Sequence, residues 1–326
     1  MPSALPAAPS AVLLLHDGAA GNRRQVTALA AALGLPAIDT PLAARAPWAW
    51  TAPRRWPGDR HAFGPAFTAL LDAPPELAFG CGRQAALATR LLREHGTRVV
   101  QVLDPRLPPR HWDWVIAPHH DGLRGTNVLH LHGSLNPVDA AWCQRARGEH
   151  AELLGDPAPR TALLLGGPTA ACRWRRRDLE FALERLLAEH PAGRGSLWVC
   201  ASRRTPPALG LMLRQALAGR GRLWIGPDDG PNPYPGFLAG ADRLVVSADS
   251  ANLLSEAAST TAALCIAFPE RATGRIGRLI QHALFCGRAR ALLGGWDETP
   301  ATPWQETARV AARLRQALEL PPALAI

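Results

Sequence analysis

Short apolar runs recur along the chain. In the first half they are AVLLL (11–15), 36–39, ELAF (76–79), RVVQV (98–102), DWVIA (113–117) and NVLHL (127–131). In the second half they are TALLL (161–165), SLWVC (196–200), RLWI (222–225), RLVVS (243–247) and ALCIA (263–267). Runs this short, with branched and aromatic side chains on consecutive positions, predict strands buried on both faces. Between them the apolar positions fall at helical spacing, which predicts helices at 22–33, 66–72, 82–94, 138–153, 174–190, 206–218, 250–258 and 274–286. A last amphipathic stretch, 303–319, predicts a helix lying on either domain. Strand and helix alternating in this way is the rhythm of parallel sheets, and 326 residues at roughly 150 per domain make two domains.

The expected organisation is a disordered N-terminus (1–10), an N-terminal Rossmann-like domain (11–154), a Pro/Gly linker (155–160), a C-terminal Rossmann-like domain (161–302) and a C-terminal helix and tail (303–326). The fold class is α/β, with two doubly wound domains facing a central cleft. Ligands in such sheets bind beyond the carboxyl ends of the strands.

Composition removes several classes. Apolar residues are 47% and charged residues 19%, an ordinary globular balance that excludes disordered, collagenous and disulfide-scaffold chains. The net charge is +9, and with no lysine present all 36 cations are arginine. Codon bias toward Arg, Ala, Gly and Pro explains much of this; an anionic partner explains the part that clusters, since the guanidinium fork suits phosphate. Six cysteines (81, 143, 172, 200, 265, 286) form no C-x-x-C pair, which reads as buried thiols in a reducing, cytoplasmic compartment. No charged leader precedes an apolar stretch at the N-terminus, and no run approaches the roughly 18 apolar residues of a membrane span.

The candidate chemistry sits at strand ends. Strand 161–165 runs into Gly166-Gly167-Pro168-Thr169 and a helix, a turn that admits close backbone approach by an anion. SLWVC runs into Ser202-Arg203-Arg204-Thr205-Pro206, with two guanidinium forks and two hydroxyls for phosphate. RLVVS runs into Asp249-Ser250, either of which can cap the next helix, with Glu256 two turns in and suited to a ribose diol. In the first half, AVLLL leads to His16-Asp17-Gly18 and on to Gly21 and Gln25. This loop lacks the G-x-G-x-x-G dinucleotide fingerprint and offers Asp17 or His16 as a general base. ELAF ends in Gly80-Cys81-Gly82-Arg83. Histidines 119, 120, 130 and 132 come with no full ligand set, so no metal is expected. Arginines 45, 54, 55 and 60 interleave with Trp48, Trp50, Trp56, Phe63 and Phe67, a pattern for an anionic membrane surface or a loop packed on its own aromatics. No nucleic-acid-binding motif accompanies the charge.

The order D-G-x-x-G-x-x-x-Q (17–25), Q-x-L-D-P-R-L-P (101–108), A-P-x-H-D (117–121), N-V-L (127–129), G-G-P (166–168), S-R-R-T-P (202–206), N-P-Y (232–234) and A-D-S-x-x-x-x-S-E-A (248–257) resembles the ELM1 family. That family is named for a plant mitochondrial-fission factor and is widespread in bacteria. Where it carries a T-G-x-P-V-like turn after S-E-A, this chain has Ser259-Thr260-Thr261-Ala262-Ala263.

The resemblance implies a GT-B glycosyltransferase-like fold. Gly166, Gly167, Ser202, Arg203, Arg204, Asp249, Ser250 and Glu256 would lie on a nucleotide-sugar side, and Asp17, Gly18, Gly21 and Gln25, with Gly82 and Arg83, on an acceptor side. The activity expected is metal-independent glycosyl transfer from a nucleotide-sugar co-substrate, with no other cofactor, to an envelope glycolipid or related acceptor. A membrane-borne acceptor would be met through 47–67, peripherally on the inner membrane face. The alternative is a non-catalytic adaptor that keeps the fold. A nucleotide-sugar epimerase is weaker, for want of the dinucleotide fingerprint and a Tyr-x-x-x-Lys pair. No oligomeric state is specified by the sequence.

Overall fold

The structure, a computed structural model, describes residues 11–191, 194–297, 299 and 301–320; the expectation for 1–10 and the end of the tail lie outside them. The chain divides into two compact units, one running to Pro137 and taking in the chain from Glu306 onward, the other Val138–Gln305.

The first unit is built from β1 (Val12–His16), α1 (Ala20–Ala32), β2 (Ala37–Pro41), α2 (Trp48–Thr51), α3 (Pro65–Asp72), β3 (Leu77–Cys81), α4 (Arg83–Glu94), β4 (Arg98–Val102), β5 (Trp114–Pro118) and β6 (Val128–Leu131). Its six strands pair in parallel in the order β2-β1-β3-β4-β5-β6. The consecutive apolar positions have a direct physical reading. Val12 and Leu14 enter one core layer with Val26, Leu29 and Phe79, while Leu13 and Leu15 enter the opposite layer with Leu87, Leu91 and Trp112. A strand covered on both faces has no polar side to alternate with.

The second unit follows with α5 (Ala140–Glu149), β7 (Arg160–Leu165), α6 (Arg176–Glu189), β8 (Ser196–Ala201), α7 (Pro207–Leu217), β9 (Arg222–Trp224), α8 (Tyr234–Gly240), β10 (Arg243–Ser247), α9 (Ala251–Ala258), β11 (Ala263–Ala267), α10 (Gly274–Phe285) and β12 (Arg290–Ala291). Its sheet is also all parallel, in the order β12-β11-β10-β7-β8-β9. That is the doubly wound Rossmann order, so both units carry the expected class of sheet.

The last helix, α11 (Glu306–Ala317), packs on the first unit. Val310, Ala311 and Leu314 join its core layer. Glu306 accepts the His132 amide at 2.6 Å, Thr307 and Asn136 bond through both an N–H and an O–H, and Arg315 donates to the Leu33 carbonyl at 2.5 Å.

The division differs from the expected linker at 155–160. That segment is pinned inside the second unit, where Asp156 accepts from Trp198 Nε1 at 2.8 Å and from Arg222 at 2.5 and 2.7 Å. The preceding α5 belongs to the same unit, with Arg147 donating to the Ala239 carbonyl at 2.7 Å. The break therefore falls between Pro137 and Val138. Helix α8, hidden in sequence by Pro235 and Gly236, was not expected. Its glycine is a contact requirement, since a Cβ on Gly236 would stand 2.5 Å from the His150 ring.

Candidate functional site

In each sheet the strand order reverses at one point, which opens a crevice at the carboxyl ends of the two strands there. In the second unit the reversal lies between β7 and β10, with β8 beside β7. The loops after these three neighbouring strands are Gly166–Gly167, Ser202–Thr205 and Asp249–Ser250, so the three separate sequence signals meet at one place.

Asp249 joins them. Its side chain is fully buried; Oδ2 accepts the Gly167 amide at 3.0 Å and Arg204 Nη2 at 2.9 Å, and Oδ1 accepts Trp174 Nε1 at 3.1 Å. Around it Ser247 Oγ accepts the Gly166 amide at 2.8 Å, and Thr205 Oγ1 donates to the Gly166 carbonyl at 2.5 Å while accepting the Ser202 amide at 3.1 Å. Ser202 Oγ accepts the Arg204 amide at 3.2 Å.

This geometry bears on each of the strand-end expectations. Of the two expected candidates for the cap of α9, Ser250 is the one, its Oγ taking the Leu253 amide at 3.4 Å. Asp249 does not face a ligand; it positions Arg204. The glycines admit protein rather than ligand, since a Cβ on Gly166 would stand 2.0 Å from Asp249 Oδ2 and one on Gly167 2.1 Å from the Arg204 carbonyl. The helix after Gly167 begins at Arg176, close to the expected 174, because Thr169 and Cys172 bridge to each other and turn the chain first. Glu256 is 2% exposed, and the Tyr234 hydroxyl donates to its Oε2, so it is not open to a ribose as the chain stands.

What remains turned outward is cationic. The Arg204 side chain is 48% exposed beyond its bond to Asp249, and exposed Arg203 has no ion pair among the described residues. Thr205, expected to offer its hydroxyl to phosphate, spends it on the Gly166 carbonyl instead, and Trp174, Tyr234 and Ser247 join the site with no role expected of them from the sequence. Thr205 and Tyr234 stood inside the S-R-R-T-P and N-P-Y motifs; nothing in the sequence marks Trp174, which also stacks on Phe268 at 5.4 Å between ring centroids. Phe268 itself holds a left-handed backbone (φ 60°) at the end of β11, a conformation costly for a bulky side chain.

In the first unit the reversal lies between β1 and β3. The Asp17 and Gly82 loops follow those strands. Asp17 is exposed, its Oδ1 accepting the Ala19 amide at 3.1 Å and Asn22 Nδ2 at 2.9 Å. Gly82 (φ 95°) brings β3 against this loop, since a Cβ there would meet Asn22 Nδ2 at 2.7 Å. Gly18 (φ 80°) makes the turn, and Gln25 is buried, donating to the Gly21 carbonyl at 3.4 Å. His16 is no free base. The Gly18 amide donates to its Nδ1 at 3.1 Å, which leaves Nε2 as the donor to Asp39 at 2.8 Å. That hydrogen bond, ahead of the opposing cost of burial and helped by Arg23, holds the Asp39 carboxyl below its usual range. Arg83 faces no acceptor. It donates to the carbonyls of Ala49, Trp50 and Ala52 at 2.8, 3.1 and 2.9 Å and so clamps the end of α2.

Of the 47–67 aromatics, Trp50 (77% exposed) and Trp56 (54%) face outward, while Phe67 is core. Arg55 pairs with Asp59 and Glu94, and Arg60 with Asp72. No described helix is long and apolar enough to cross a membrane. His119 stacks on His130 at 4.7 Å, and a His130 ring nitrogen bonds the Leu123 carbonyl at 2.7 Å. Among the described residues no group of three or more His, Cys, Asp or Glu is placed to hold a metal.

The family model described as mitochondrial fission ELM1 matches residues 20–318. The chain belongs to that family. Mitochondrial fission protein ELM1 of Arabidopsis thaliana is 28% identical to it over 274 residues, which are 75% of this chain and 64% of the plant protein. The chain thus spans less than two thirds of that relative's length. Among solved structures, UDP-GlcNAc 2-epimerase from Neisseria meningitidis bound to UDP-GlcNAc is similar at a TM-score of 0.55 and 11% identity, over 94% of this chain and 92% of the other. UDP-GlcNAc 2-epimerase from Methanocaldococcus jannaschii is similar at 0.54 and 13%, over 94% and 99%. At such identities the likeness is one of fold, and it places this ELM1 family member in the GT-B-like double Rossmann class.

Proposed function

We propose that this ELM1 family member binds a nucleotide sugar on its second unit and transfers the sugar to an acceptor without a metal. The observation that carries the reading is the convergence of Gly166–Gly167, Ser202–Thr205 and Asp249–Ser250 at the switch point of a Rossmann sheet, with Arg204 held in place by a buried carboxylate. Arg203, Arg204 and the start of α9 would stabilise the departing nucleoside diphosphate by fixed charge and N–H dipoles. Glu256 would reach the ribose once Tyr234 yields it. Asp17 is the base for the acceptor hydroxyl, with Oδ2 taking no hydrogen bond among the described residues. A membrane-borne acceptor would be met by Trp50 and Trp56, with Arg54 between them, from the cytoplasmic side. The similar solved structures are of UDP-GlcNAc 2-epimerases, which makes a uridine nucleotide the first to try.

Calorimetry with UDP, GDP, ADP and CMP tests the reading. One of them is expected to bind, and Arg204→Met to weaken it at least tenfold, about 1.4 kcal/mol, with unchanged circular dichroism. Binding of none of the four defeats the proposal. An epimerase would interconvert two nucleotide sugars with no net release of nucleotide, whereas a transferase releases the nucleotide as an acceptor takes the sugar.

One observation favours the second reading, a non-catalytic adaptor. Asp249 and Glu256 are satisfied internally, as in a site kept for structure. An adaptor predicts partner capture that survives Arg204→Met.

A further inference from the structure

The amino ends of β4 and β5 lie at the opposite edge of the first sheet from the Asp17 and Gly82 loops. There the last turn of α4 and the turns leading into the two strands line an open polar cavity of about 400 Å³. Its wall holds three arginines, Arg90, Arg93 and Arg98, together with His111, against two carboxylates, Glu94 and Asp113.

Both carboxylates are already engaged. Glu94 pairs with Arg55, which is not part of the wall. Asp113 accepts Arg93 Nε at 3.0 Å and the Val99 amide at 2.7 Å. Arg90 and Arg98, by contrast, have no carboxylate partner among the described residues. Each commits only Nη1, to the carbonyls of Pro53 and Leu318, both at 2.7 Å, and keeps its remaining N–H groups. Thr97 belongs to the same wall, and its Oγ1 is buried with no hydrogen-bond partner among the described residues. A buried hydroxyl without a partner is an unfavourable arrangement that a ligand oxygen relieves.

We propose that this cavity binds a small phosphate-bearing anion, held by the free guanidinium edges of Arg90 and Arg98 and by Thr97. Guanidinium forks match phosphate oxygens two at a time, and a pair without acidic partners leaves that capacity unspent. The local potential agrees. Burial first, then Arg90, Arg110 and Arg93, push the His111 pKa down against the opposing pull of Glu94. Burial, then Arg55, push Arg90 down. Burial is the first cause at both groups, and the arginines that come after it add a positive potential that favours an anion. Because the cavity lies at the other end of the strands from the Asp17 and Gly82 loops, and in a different unit from the Arg204 loop, this anion is a separate ligand from the nucleotide.

The 326-residue chain carrying Arg204→Met, which removes the cation of the proposed nucleotide loop, is titrated with inorganic phosphate and with pyrophosphate by calorimetry, and His111 is followed by NMR across pH. Saturable binding is expected, with the His111 pKa raised when the anion is present. Thr97→Val removes a hydroxyl that has no native partner to lose, so it keeps the fold. It should weaken binding several-fold, and Arg98→Met about tenfold or more. Repeating the titration with a nucleoside monophosphate separates a free ion from a phosphorylated metabolite, since a monoester that binds and shifts His111 assigns the larger ligand. Absence of saturable binding overturns the proposal. So does binding that leaves His111 unmoved and is indifferent to both substitutions.

Discussion

With the Gly167 amide, Trp174 Nε1 and Arg204 Nη2 all donating to it, the Asp249 carboxylate is spent on the protein. Its value to a ligand is indirect, because it fixes the guanidinium that would meet the phosphates. Asp249→Asn keeps the shape but swaps one acceptor oxygen for a donor that must face another donor. The expected cost is about 1–3 kcal/mol of stability, read from the denaturant midpoint, and nucleotide affinity should fall although no ligand contact is lost. Affinity unchanged in a stably folded Asp249→Asn would show that Arg204 needs no fixing. The sequence marked Asp249, Ser250, Gly166 and Arg204 as important from strand-end chemistry alone. Which of them faces outward was not legible, because a carboxylate at a helix start looks the same whether its oxygens meet solvent or an indole 75 residues away in the chain. Trp174 shows the same limit from the other side. An indole in an arginine-rich stretch carries no local sign of the hydrogen bond it makes.

Strands were the most legible elements, since five or six apolar positions in a row have one stable use in a chain of this rhythm. Helices whose stability comes from tertiary contacts were not. Helix α8 contains Pro235 and Gly236, both poor helix formers in isolation, and stands because it packs against the α5 segment so closely that only glycine fits. The turn after α9 is similar. Where the family resemblance led to a glycine, this chain has Ser259-Thr260-Thr261, and buried Arg288 binds the carbonyls of Ala257, Ala258 and Thr260 instead, its pKa pulled down to about 10 by burial. Helix α2 is held from outside as well, by the three bonds of Arg83. Arg83→Met should therefore loosen 47–57 without unfolding the unit. Limited proteolysis is expected to cut after Arg54 or Arg55 several-fold faster in the variant, with the global melting temperature lowered by only a few degrees. A global collapse instead would mean that the clamp supports the whole first unit.

At the scale of the whole molecule, the chain leaves the first unit at Pro137, builds the second, and returns with α11 to complete the first. Leu314 of that helix is fully buried, and Leu314→Ala should cost about 2–5 kcal/mol, measured as a loss in the unfolding transition of the first unit. An unchanged transition would show that α11 is a dispensable cover. The +9 charge has a partial structural address: Arg83 and Arg288 bind carbonyls, Arg55, Arg60 and Arg93 meet carboxylates, and Arg203, Arg204, Arg90 and Arg98 keep donors for anions. By itself the sequence determined the two parallel sheets, their strand positions and the loops that carry polar chemistry, because these follow from local periodicity and from residue types adjacent in the chain. Tertiary structure alone decided the domain boundary, the docking of α11 and the division of the site into a buried clasp and an exposed cation. Each of those depends on hydrogen bonds and packing between residues tens to hundreds of positions apart, where local pattern carries no information about which partner is met.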